Sequence, residues 1–138
     1  MSSLFDLSQF SDLGLLFLRL TLASIFLAHG LSKWGLWSMK PSKEMPAKLL
    51  GLLKLAFLLE TIGGLLVLLG FYTTIGTIAL IVVMLGATYF KAIVWKVSFM
   101  EKEKMGWEFD LILLAASLLL FLMGPGRFSI EFLFLGAR

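Results

Sequence analysis

The sequence predicts an all-α protein, an integral membrane bundle of four antiparallel helices. Three observations carry that expectation. Hydrophobic residues fill 59% of the 138 positions, and the mean hydropathy is +0.97. Only 15% of residues are charged, where a soluble domain carries about a quarter. The apolar residues also gather into four runs, at residues 13–31, 49–70, 74–95 and 107–123. Each is close to the ~20 residues that carry a helix across ~30 Å of hydrocarbon. A chain of this length is expected to form one domain over residues 1–138.

Composition also removes several functions. There is no cysteine, which excludes a disulfide framework, a thiol nucleophile, a thiolate-held cluster and a Cys-x-x-Cys redox motif within the chain. Any redox role must then move its electrons on a bound molecule or a partner. The net charge of +3 comes from lysines in short loops between apolar runs. That pattern argues for membrane topology and against nucleic acid.

In chain order, the opening MSSLFDLSQFSD has two Asp and neither Lys nor Arg. It lacks the basic region of a secretory signal, so the first run is expected to be retained. Within that run, Arg19, Ala23, Phe26, Gly30 and Lys33 fall on one stripe, with His29 about a quarter turn away. Residues 32–48 leave the membrane: Trp34 and Trp37 suit an interface, and Pro41 and Pro46 interrupt a helix. The second run, LLGLLKLAFLLETIGGLLVLLG, places Glu60 near its middle, with Gly63 and Gly64 on the same side. Its Lys54 is near enough to the basic end to snorkel.

Residues 71–73 or so leave room only for a tight antiparallel turn. The third run has a small-residue face of Ala79, Val83, Gly86 and Ala87, which predicts close helix packing at Gly86 as at Gly30, Gly63 and Gly64. A charged surface turn follows at 97–106. The fourth run opens on Trp107 with Glu108 and Asp110 in its first turn, and Gly124-Pro125-Gly126 ends it. Residues 124–138 suit an interfacial tail better than a fifth span. Lys33, Lys40, Lys43, Lys48, Lys91, Lys96, Lys102 and Lys104 all fall at one end, against Arg127 and Arg138 at the other. The positive-inside rule therefore expects loops 32–48 and 96–106 in the cytoplasm and both termini outside a plasma membrane.

The ionisable residues inside the runs are the candidate site. A carboxyl group near mid-bilayer costs at least a few kcal/mol unless it is protonated, paired or facing a wet cavity. Arg19 begins ~9 Å and Glu60 ~15 Å from the outer ends of their runs, counting ~1.5 Å per residue. A guanidinium and a carboxylate match in geometry, so Arg19 and Glu60 are expected to pair. The bland reading of that pair is a fastener of helix register. His29, Lys33 and Glu108 form a second layer, with Lys91 and Asp110 as outliers. Glu108 shares a stripe with Ala115, which points it inward, while Asp110 falls with Ser117 on the opposite side. His29 reads either as a packed core residue or as a proton-exchange group beside a ligand. With one His, no Cys and no ligand spacing among the carboxylates, no metal site is expected. No Ser/His/Asp arrangement, phosphate-binding loop or other self-sufficient catalytic motif is present.

The runs FLRLTLASIFLAHGLSKW, LLETIGGLLVLLGFYTTIG and WEFDLILLAASLLLFLMGPGRFSIE together resemble the DoxX family of small four-helix membrane proteins. The matching features are Arg19, Gly30 with Lys33, Glu60 with Gly63 and Gly64, Gly70, Glu108, and Gly-Pro-Gly-Arg before Ser129. Glu131 stands near where the family often has Asp. The resemblance implies a membrane subunit that presents a quinone or quinone-like molecule to a redox partner, by association with thiosulfate:quinone oxidoreductase. No covalent cofactor is implied. The lipid bilayer, a redox subunit and a second copy of the chain are the candidate partners. A non-catalytic scaffold or assembly factor is the alternative. A small-solute or proton carrier ranks last, because inverted repeats and broken helices are not visible.

Overall fold

A computed structural model describes residues 10–101 and 105–136. Lys102, Glu103 and Lys104 of the charged turn, the opening nine residues and the last two fall outside the described residues. Helix α1 runs over Ser11–Ser32 and a short 3₁₀ turn over Trp34–Trp37. Helix α2 covers Ala47–Leu69 and α3 covers Thr73–Tyr89, the latter widening into a π turn at Phe90–Val94. Helix α4 covers Trp107–Met123 and a short α5 covers Ile130–Leu135. No strand occurs among the described residues.

α1, α2 and α3 with its π turn are each long and apolar enough to cross a membrane. α4 is equally apolar but has 17 residues, or ~25 Å of helix. The outside of the molecule suits lipid, not water: Phe17, Ile62, Ile75, Ile112 and Leu122 are all more than half exposed. Leu22, Ala23, Phe26, Val67, Leu80 and Leu120 form the centre of the core.

The chain packs in sequence order, α1 on α2, α2 on α3 and α3 on α4, with α4 returning to α1. Small residues set the close approaches. A methyl group on Gly63 would lie 3.0 Å from the Gly76 carbonyl, and one on Gly64 would lie 3.2 Å from Leu27. Gly30 faces Thr61 and the Glu60 Cβ in the same way, which levels the end of α1 with the middle of α2. Gly86 differs. A methyl group there meets nothing within 4 Å, so the expected packing contact is absent and Gly86 instead borders a groove. Its face of α3 lies outside the line where α2 comes closest, at Gly76.

Gly70 ends α2 in the left-handed region, at φ +63°. Phe71 N–H then reaches the Leu66 carbonyl at 3.1 Å, and Gly70 N–H reaches Val67 at 3.2 Å. This arrangement turns the chain sharply into α3. The tail is tied into the same end. Glu131 N–H donates to the Gly70 carbonyl at 2.9 Å, and its carboxylate accepts from Thr73 N–H at 2.8 Å. Ser129, buried, caps α5 by accepting from Phe132 N–H. Residues 124–136 are therefore part of the folded end, with Leu133, Phe134 and Leu135 left facing outward.

Candidate functional site: a polar chamber between two lysine–carboxylate pairs

Arg19 and Glu60 do not pair. Arg19 is 1% exposed, and its guanidinium donates to four backbone carbonyls. Nε reaches Val67 and Nη2 reaches Leu68, each at 3.0 Å. Nη1 reaches Pro125 at 3.1 Å and Phe128 at 2.7 Å. The physical reason is that the C-terminal end of α2 presents carbonyls unclaimed within the helix, at the negative end of its dipole. The Gly-Pro-Gly turn adds one more, at Pro125, and the tail another, at Phe128. Five donors in a fixed fork satisfy such a ring without a carboxylate.

Glu60 is instead paired with Lys33, because the stagger of α1 against α2 brings the end of α1 level with the acid. A second pair repeats the pattern in the other helical hairpin. Lys91, in the π turn that ends α3, lies 3.1 and 2.9 Å from the two carboxylate oxygens of Asp110 in the first turn of α4. In each hairpin the first helix gives a lysine from its end and the second gives the acid. The carboxylate side chains are nearly enclosed (5% and 7% exposed), while the lysines keep about a quarter of their surface open (24% and 23%).

The inward acid of α4 is thus Asp110 and not Glu108. The buried stripe of α4 is Asp110, Leu113, Ser117 and Leu120, and Ala115 faces outward. A small side chain permits close packing but does not compel it, whereas the Ser117 hydroxyl bonds back to the Leu113 carbonyl at 2.8 Å and is easily buried. Glu108 turns toward the preceding loop, beside Gly106 and Phe99.

A partly open chamber of about 150 Å³ lies between the two pairs. Lys33, Glu60, Lys91 and Asp110 meet there with His29, and Phe26, Met84 and Phe109 supply its apolar walls. The His29 ring stands 6.0 Å from that of Phe109, tilted by 35°. Of the residues singled out in the sequence, His29, Lys33 and Glu60 come together here. Arg19 and Glu108 do not line the chamber. Lys91 and Asp110, outliers in the sequence reading, are brought together as a pair; their one signal in the sequence is their placement just before and just after the loop joining α3 to α4. The π turn that carries Lys91, with Trp95 N–H reaching back five residues to the Phe90 carbonyl at 2.8 Å, has no comparable signal in the sequence. Such turns collect at functional sites.

A helical membrane protein with an ionisable chamber inside its packing is the class these features define. The DoxX family profile matches residues 14–93, more than half of the 138-residue chain, and the chain belongs to that family. The match takes in Arg19, Lys33, Glu60 and Lys91, while Asp110 and the Gly-Pro-Gly turn lie beyond it. Neither the curated proteins nor the solved structures give a significant match.

Proposed function

We propose that the chamber binds the ring of a quinone or quinone-like molecule, and that the protein is a membrane subunit of an oxidoreductase complex. The observation that carries this is the chamber itself. Its volume of about 150 Å³ matches a cavity that admits one six-membered ring. Its lining combines apolar side chains with a few polar groups, as small-molecule sites do.

The donor set fits the ligand. Lys33 and Lys91 each use one or two of three ammonium hydrogens on a carboxylate. What remains can be offered to a ring carbonyl. Glu60 and Asp110 hold the two lysine amino groups in place at the chamber. His29 brings two ring nitrogens to the same chamber, able to donate to or accept from a ligand oxygen. Bound quinone supplies reversible uptake of electrons and protons, and a redox partner supplies or removes the electrons. In this reading four helices cross the plasma membrane, and loops 32–48 and 96–106 face the cytoplasm.

Binding tests it directly. Purified protein in nanodiscs is titrated with a water-soluble dimethoxy-methyl-benzoquinone, reading thermal midpoint and tryptophan quenching. Glu60→Gln and Asp110→Asn should each weaken binding about tenfold, ~1.4 kcal/mol. Glu108→Gln should leave it within twofold. No thermal shift with the unsubstituted protein, and no quinone in its lipid extract, would sink the proposal. Glu60→Gln that fails to accumulate in membranes would favour the scaffold reading.

A further inference from the structure

The chamber has a neighbour. Between the first half of α2 and the last part of α3 runs an apolar groove of about 330 Å³. Leu52, Leu55, Val82, Phe90 and Trp95 line it, and all but Phe90 are more than two-fifths exposed. The groove and the chamber share Lys33, Glu60, Ala87 and Lys91. They are two compartments around one set of side chains, one polar and ring-sized, the other apolar and open to the lipid-facing surface.

Gly86 lines the groove next to Ala87, a residue common to both compartments. Glycine inside a helix costs about 0.5–1 kcal/mol relative to alanine. At Gly63 and Gly70 that cost is offset by a close helix contact or a left-handed turn, whereas Gly14 and Gly51, neither of which lines the groove, also have no atom within 4 Å of the absent methyl. At Gly86 neither applies, since no atom lies within 4 Å of its absent methyl. What the missing side chain leaves is open groove.

We infer that the α2–α3 groove seats the apolar chain of the same ligand whose ring occupies the chamber, with Gly86 fixing the groove's depth where the two compartments join. The inference rests on the quinone reading and adds the tail to it. The ligand is then a prenylated quinone that enters sideways from the bilayer, ring first. The four lining residues that the groove shares with the chamber single out the tail of that ligand over a free acyl chain of the bilayer. A phospholipid in the groove would leave the chamber's donors unaddressed.

The experiment compares two probes on one protein in nanodiscs, the tailless benzoquinone and its decyl-substituted analogue. Gly86→Leu puts a branched side chain into the groove without a backbone clash. Val82→Trp narrows the same groove one turn earlier and serves should Gly86→Leu fold poorly. The expected result is a tenfold or greater loss of affinity for the decyl probe, with tailless binding unchanged within twofold. Equal affinities of variant and parent for the decyl probe would overturn the inference, with the chamber reading intact. Equal loss for both probes would overturn it too, by placing Gly86 at the ring and not the tail. If the parent protein binds neither probe, the quinone reading fails first, and the tail assignment falls with it.

Discussion

Arg19 is the most enclosed charge among the described residues, and its partners decide what it does. Four hydrogen bonds to carbonyls of α2, the Gly-Pro-Gly turn and the tail fasten three segments at one point. Hydrogen bonds to a charged group contribute about 1.5–3 kcal/mol each, and the planar fork cannot be copied by an ammonium. Arg19→Lys should therefore cost about 3 kcal/mol of stability, read as a lowered unfolding midpoint in detergent, with chamber ligand binding at saturating probe retained. Loss of binding with unchanged stability would instead place Arg19 in the ligand site. The division of labour is clear at this scale: the guanidinium closes one end, and the two lysine–carboxylate pairs line the chamber nearer the other.

Among the elements, the α2–α3 contact is a close backbone-to-backbone constraint. Gly63 and Gly76 bring the two backbones together, and any larger side chain must push them apart. Gly63→Leu should destabilise by about 2 kcal/mol through overpacking, measured as the shift in thermal midpoint, whereas Gly86→Ala should be neutral to slightly stabilising. If both substitutions behaved alike, the contrast between a packed and an open glycine would be wrong. The π turn matters at the same scale. It changes the helical phase just where Lys91 reaches Asp110, beyond the regular part of α3 that packs on both α2 and α4.

For the molecule as a whole, the two ends differ in charge and in construction. Lysines crowd one end, while the Arg19 fastening and the tail close the other. The positive-inside rule then makes a topological prediction that a cysteine-free chain tests cleanly. Ser42→Cys should react with an impermeant maleimide only in inverted vesicles, and Gly136→Cys only in right-side-out ones. The reverse labelling pattern would invert the molecule in the membrane and turn the chamber's lysine side outward.

The sequence alone determined the helices and the kind of solvent they face, because hydrophobic period and length are local properties. The apolar run at residues 107–123 coincides with helix α4, and Gly70 and Gly124 end their helices where glycine punctuation places them. It also marked His29, Lys33 and Glu60, since an ionisable group in an apolar run stands out wherever it lies. What only the tertiary structure decided was which charges meet. Pairing depends on the axial stagger of α1 against α2 and on the rotation of α4, and both are set by side-chain packing between distant segments. The stagger that levels Gly30 with Thr61 gave Glu60 to Lys33 and left Arg19 to carbonyls. A half rotation of α4 turned Asp110 inward and Glu108 away.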